Sequence, residues 1–384
     1  MQFSDRMDTI PEYVVARLNR AIAEARARGV DVISLGIGDP DLPPDPRLRE
    51  RLALEVQRDD AARYPTNHGE PALREAVADY YQRRFGVSLD PATEVLPLLG
   101  AKEGLAHLAT AILDPGSLSL IADPGYPVYA GGPLMAGAAS LPLPLLPENG
   151  YQPDLGAVSA EAAAQARLLI VGYPNNPTGA IARPGLFGEL GAFANQHGIV
   201  LCHDNAYADL VYDGEPAPSA LADPSFRAHG IEILSLSKSY SIPGWRIAFA
   251  VGNPEVIATL QRLKTQIDSG MFPALQRTAT WLLGQTDIAG PPLATYRARR
   301  DLACTRLGEI GMPVAPPAGA MYLWVPVPTN ESSLAFADRV FEQAAVAVTP
   351  GNAYGAAGEG FVRMALTIPE DRLAEAIERI GAIL

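Results

Sequence analysis

The segment running from Ser235-Leu236-Ser237-Lys238-Ser239-Tyr240 to Arg246 places one lysine in a short polar loop between two apolar runs, Ile231 to Leu234 and Ile247 to Val251. Runs of that kind read as buried strands, so the Lys238 amine is expected to lose part of its hydration. Desolvation disfavours the ammonium and lowers its pKa toward the neutral, nucleophilic form. A neutral amine is what covalent chemistry with a carbonyl compound requires. Ser235, Ser237 and Arg246 have the character to hold a dianionic phosphate nearby. A surface lysine in a polar turn is the competing reading of this stretch taken alone.

Further groups with chemical potential stand at the ends of other apolar runs. Tyr173-Pro174-Asn175-Asn176-Pro177-Thr178-Gly179 follows Leu168 to Gly172, a turn dense enough in proline to fix the direction of Asn176; a cis Asn176-Pro177 bond is expected there. Ile199 to His203 ends in Asp204, with Tyr207 three residues on. Gly100-Ala101-Lys102-Glu103-Gly104 lies between a strand-like run and a helical one, so its amides would sit at a helix N-terminus, a ready anion site. Asp123-Pro124-Gly125-Tyr126-Pro127 is a turn carrying an aromatic ring. Arg363 is a charge inside the apolar run Phe361 to Thr367, and buried charge demands a partner, either a ligand or a carboxylate. Gly36-Ile37-Gly38 lacks the third glycine of a dinucleotide fingerprint. Each of these segments in isolation also reads as an ordinary turn, a helix cap or a core residue.

The elements that must carry these groups alternate. Runs at Glu94 to Leu99, Leu118 to Ala122, Leu168 to Gly172, Ile199 to His203, Ile231 to Leu234 and Ile247 to Val251 are separated by helical patterns such as Ala72 to Phe85. That alternation predicts an α/β fold, a mostly parallel sheet covered by helices on both faces. Before it, Met7 to Gly29 reads as an arm ending in a helix. After about residue 290 the texture changes to helix, strand, helix, strand and helix, a smaller α+β domain. The expected division is 1–40 for the arm and a small-domain segment, 41–288 for a large domain and 289–384 for a small C-terminal domain. The 384 residues are 48% hydrophobic and 19% charged, ordinary for an enzyme of this size, and the net charge of −13 argues against nucleic acid and anionic membrane as partners. Two cysteines exclude a disulfide framework, the five histidines show no metal-ligand spacing, and no metal is expected. With no apolar leader and no run of membrane-spanning length, a cytoplasmic location is expected.

Taken in order along nearly the whole chain, these motifs resemble the pyridoxal-phosphate-dependent aminotransferases of fold type I, class I/II. The resemblance implies a seven-stranded sheet, pyridoxal 5'-phosphate joined to Lys238, and transfer of an amino group from an amino acid to a 2-oxo acid. It implies that Asp204 faces the pyridine nitrogen, that Asn176 and Tyr207 face the 3'-oxygen, and that Tyr126 stacks on the ring. Ala101 and Lys102 main-chain amides, Ser235, Ser237 and Arg246 would bind the phosphate. Arg363 would bind the substrate carboxylate, with Gly38, Tyr126 and Asn176 also at the substrate. Tyr64 would cross to the neighbouring subunit's phosphate, which requires a homodimer with shared sites. Within the family, segments such as Ser34 to Pro43 and Asp268 to Phe272 resemble the enzymes that act on LL-diaminopimelate with 2-oxoglutarate in bacterial lysine biosynthesis. Alanine, aspartate or aromatic amino acids are the first alternative substrates, and C–S lyase chemistry on the same cofactor is a more distant one.

Overall fold

The computed structural model describes residues 1–4, 6–288, 290, 292–328 and 331–384. In chain order its strands are β1 (Ile33–Ser34), β2 (Val95–Leu98), β3 (Leu118–Asp123), β4 (Ala139–Pro144), β5 (Ala166–Gly172), β6 (Val200–Asn205), β7 (Gly230–Ser235), β8 (Ala248–Gly252), β9 (Tyr322–Pro326), β10 (Val346–Ala347), β11 (Thr349–Pro350) and β12 (Phe361–Ala365). Strands β2 to β8 form one seven-stranded sheet in the order β2-β8-β7-β6-β5-β3-β4. Pairing is parallel from β7 across to β4, and β8 runs antiparallel to both of its neighbours. This is the mostly parallel α/β sheet of the sequence expectation.

Alternate residues of the central strands feed two separate cores, as the two-residue period of a strand dictates. Leu169, Val171, Leu201 and Phe249 pack on one face with Leu73, Val77 and Tyr81 of the helix Pro71–Phe85. Leu168, Ile170, Cys202 and Ile233 pack on the other with Leu105 and Leu108 of the helix Ala101–Ile112. Strand β4 escaped the sequence reading because Pro142 and Pro144 interrupt it. Proline cannot donate to a ladder and is tolerated on an edge, where β4 lies, paired only with β3.

A third core joins the two ends of the chain. β11, β12 and β9 form an antiparallel sheet, and β1 pairs in parallel with β10. Ile33 and Leu35 pack there with Tyr322, Met364 and the helix Glu370–Gly381. That helix buries Leu373, Ala376, Ile377 and Ile380, the i, i+3, i+4, i+7 stripe of an amphipathic helix. The expected start of the small domain falls at 289, which lies outside the described residues. Among the described residues, no helix is long and apolar enough to cross a membrane.

The lysine stretch corrects one expectation. Leu236–Ser239 is a turn of helix, not a loop, capped by Ser235, whose Oγ accepts the Ser237 N–H at 3.2 Å. A serine at the N-cap makes that start favourable, and the turn carries Lys238 back over the sheet end. Because β3, β5, β6 and β7 run in parallel, their carboxyl ends open on the same side, where open α/β sheets hold ligands.

Candidate active site

Those strand ends and the start of the helix Ala101–Ile112 surround a cavity of about 320 Å³. Gly38, Ala101, Lys102, Tyr126, Asn176, Asp204, Tyr207, Ser235, Ser237, Lys238, Arg246 and Arg363 all line it. Tyr64 does not; it stands on the surface with 90% of its area exposed.

The chain has three lysines, and their settings differ. Lys264 is buried between carboxylates, donating to Glu103 at 2.5 Å and Asp268 at 2.8 Å. Lys102 is exposed, its Nζ 3.7 Å from the centre of the Tyr13 ring. Lys238 reaches into the cavity, where Nζ donates to the Gly38 carbonyl at 2.7 Å. Burial pulls its pKa down to about 8, with Arg363 and Arg246 assisting and Asp39 opposing. Of the three it is the amine prepared to be neutral.

At one end of the cavity Gly100 opens the helix Ala101–Ile112 with a φ of +94°, and a Cβ there would collide with the Arg246 guanidinium. Glycine therefore lets Arg246 lie against the helix start. Helix amides, Ser235, Ser237 and a guanidinium lining one cavity make a donor set that fits a phosphate. The turn is braced from behind, since Glu103, held by Lys264, accepts the Leu99 N–H at 3.0 Å.

Asp204, at the end of β6, is buried. Its Oδ2 accepts the Tyr129 hydroxyl at 2.9 Å, and Oδ1 forms no hydrogen bond among the described residues. Burial pushes its pKa up to about 6, with the Tyr129 hydrogen bond pulling the other way. A buried carboxylate oxygen in need of a donor fits a protonated pyridine nitrogen. The Asn176–Pro177 peptide is cis, as expected, and cis bonds also precede Pro124 and Pro174. The Asn176 Oδ1 accepts from Arg363 Nη1 at 2.9 Å, which leaves its amide hydrogens to donate into the cavity.

Arg363, on β12, is buried. Nη2 donates to the Gly36 carbonyl at 2.8 Å, and the guanidinium carbon lies 4.1 Å from the Tyr322 ring centre and 4.9 Å from that of Tyr354. Among the described residues no carboxylate pairs with it. A buried cation balanced only by dipoles and ring faces is costly, and a substrate carboxylate would complete it in bidentate geometry.

Among the lining side chains missed by the sequence reading are Asp39 and four tyrosines: Tyr13 from the N-terminal arm, Tyr129, Tyr322 and Tyr354. Tyr129 stands three residues after Tyr126 on the same turn, a spacing that could have flagged it. The other tyrosines arrive from distant segments, with no local signal. A buried network also ties β6 to β7, outside the lining of the cavity. Glu232 accepts from Tyr81 at 2.8 Å, Ser219 at 3.0 Å and the Ala220 amide at 2.8 Å, and pairs with His203 at 2.8 Å.

The residues thus fit pyridoxal phosphate. When bound, that group supplies an aldehyde for an amine and a pyridinium ring that withdraws electrons from the carbon losing its proton. The chain's own part is to orient and to move protons. Arg363 is placed to hold a carboxylate, Asp204 to offer a buried anion, and Lys238, its pKa pulled down to about 8, to take a proton and return it.

The description "aminotransferase class I and II" fits residues 30–380. A protein of Moorella thermoacetica named LL-diaminopimelate aminotransferase is 46% identical over 385 residues, covering 100% of this chain and 99% of that one. Its namesake in Gloeobacter violaceus is 43% identical, covering 100% and 98%. Among solved structures, substrate-bound BacF of Bacillus subtilis superposes with a TM-score of 0.94 at 34% identity, covering 100% and 97%. The aspartate aminotransferase of Thermus thermophilus superposes at 0.91 with 29% identity over 100% of both chains.

Proposed function

We propose, for a chain that belongs to the class I and II aminotransferase family, that the amino donor is LL-diaminopimelate and the acceptor 2-oxoglutarate, an exchange belonging to lysine biosynthesis. The protein is a pyridoxal-phosphate-dependent transaminase. The observation that carries amino-acid chemistry is the buried Arg363, without a carboxylate partner among the described residues and lining the same cavity as Lys238. The choice of donor is supported by the full-length relatives of that name, which are more similar to this chain than the aspartate aminotransferase is. The roles given to Asp204, Asn176, Tyr207, Tyr126 and the phosphate-facing groups Ala101, Lys102, Ser235, Ser237 and Arg246 are part of the proposal, as are Gly38 at the substrate and the division at residues 40 and 288.

We also propose a homodimer. Tyr64 is exposed, as are Ile267 and Phe272, and the loop at Gly270 lies against Thr66 and Pro65. In this reading Tyr64 serves the neighbouring subunit's phosphate, in the cytoplasm.

The test is a half-reaction screen. The loaded enzyme is mixed with single amino acids, and conversion of its near-visible absorbance to that of the aminated cofactor is followed. LL-diaminopimelate is expected to convert it fastest. Conversion by alanine or aspartate but not by LL-diaminopimelate would remove the donor assignment and leave the transaminase.

A further inference from the structure

Tyr322 lies between the two halves of the site and belongs to neither by sequence. Its hydroxyl meets that of Tyr207 at 2.8 Å, and both side chains are buried, at 2% and 8% exposure. The face of its ring carries the Arg363 guanidinium at 4.1 Å. A Cβ added to Gly38 would collide with the Tyr322 hydroxyl and ring, so the phenol is confined on that side as well. We propose that Tyr322 is a positioning residue whose hydroxyl donates to Tyr207, leaving the Tyr207 hydrogen for the cofactor's 3'-oxygen. This rests on the role given to Tyr207 above.

The direction of the shared hydrogen bond follows from the surroundings. Two hydroxyls in contact hold two hydrogens, of which one lies between them and one is free for a third group. A cation over a phenol ring draws electron density from it and makes its O–H the better donor, and Arg363 stacks on Tyr322. Burial and the Tyr322 and Asp204 fields hold the Tyr207 hydroxyl well above the ordinary tyrosine range, with Arg363 opposing, which suits Tyr207 to accept. Chained hydrogen bonds reinforce each other, so a donor behind Tyr207 strengthens its own donation. The charged groups facing the pair are Arg363 on β12, Asp204 on β6, Lys238, and Asp39 next to Gly38. The other titratable neighbours are the phenols of Tyr126, Tyr129, Tyr212, Tyr296 and Tyr354.

The readout is the pH midpoint of the absorbance band of the lysine-linked cofactor, titrated without substrate. A donor at the 3'-oxygen favours its fully anionic form, the one present once the lysine-linked nitrogen has lost its proton. Weakening that donor therefore raises the midpoint. Tyr322→Phe is expected to raise it by about half a pH unit, the scale of one hydrogen bond. Tyr207→Phe is expected to raise it further, and the double variant to match Y207F, because the second phenol acts only through the first. Tyr322→Leu, which removes ring and hydroxyl together, is expected to shift at least as far as Y322F. A melting curve of each loaded variant checks that the fold is kept. A wild-type midpoint in Y322F beside a shifted Y207F overturns the inference, as does full additivity in the double variant. A shift in Y322L that is absent from Y322F also overturns it, since the cation–ring contact would then be responsible. If Y207F itself titrates as wild type, the role given to Tyr207 falls, and the inference with it.

Discussion

At the scale of single residues, the account turns on two groups whose ionisation is set by burial. Lys238 is held near pKa 8, below its ordinary 10.5. Its folded-state pKa is lowered, so the amine becomes neutral as pH rises through about 8, where an exposed lysine would still be charged. Capture of pyridoxal phosphate by the cofactor-free protein is therefore expected to accelerate through pH 8 and level off above it, in stopped-flow absorbance. A midpoint near 10.5 would contradict the assigned environment. Asp204 shifts the other way, to about 6 from 3.8. Between those values the native cofactor-free protein binds a proton that the unfolded chain does not, so this group favours folding more as pH falls from 6 toward 4. At pH 7.5 the buried carboxylate is a net cost. Asp204→Asn is expected to stabilise the cofactor-free protein there by about 2 kcal/mol in denaturant titration, with the gain shrinking below pH 6. Activity of the loaded variant is expected to fall by orders of magnitude. A variant less stable than wild type at pH 7.5 would show that Asp204 is not an unpaired buried charge.

At the scale of elements, the strand ends decide what the sequence could disclose. Asn176, Asp204 and Lys238 were legible because each follows an apolar run, and a strand's end fixes where the next residues stand. Tyr322 and Tyr354 were not, because their roles come from β9 and the segment Gly351–Tyr354 closing over Arg363 from another part of the chain. The joint between the two parts is specific. Asp123, at the end of β3, accepts the Ala356 and Ala357 N–H groups, each at 3.1 Å, and the Gly125 N–H donates to the Tyr354 carbonyl at 2.8 Å. Gly355 adopts a φ of +128°, and a Cβ there would strike the Asp123 carboxylate. Asp123→Ala and Gly355→Ala should each free Tyr354 and loosen Arg363. The KM for the amino donor is expected to rise about tenfold, a loss of roughly 1.4 kcal/mol, while the absorbance of the bound cofactor stays unchanged. An unchanged KM would show that this joint does not position the arginine.

At the scale of the whole molecule, a mostly parallel α/β sheet follows from alternation in the sequence, whereas the order of its strands and the register that pairs β1 with β10 come only from tertiary contact. The assembly is the remaining level. A tyrosine 90% exposed is a poor candidate for any site on its own subunit. If Tyr64 serves the neighbour, Lys238→Ala and Tyr64→Ala subunits should complement each other. A mixed dimer combines an intact lysine with the partner subunit's intact tyrosine in one of its two sites. Mixing and reassociating the two weak variants is expected to recover activity toward a quarter of wild type, as random pairing puts about half the dimers in the mixed form. Recovery no greater than the mean of the two variants would place Tyr64 outside the site.

The covalent attachment itself can be read directly. The loaded enzyme is reduced with borohydride, digested, and its three lysine-bearing segments are weighed by mass spectrometry. The cofactor's added mass is expected on the peptide containing Lys238, and on none in Lys238→Ala. Its appearance on Lys102 or Lys264 in the wild-type protein would contradict the account at its centre.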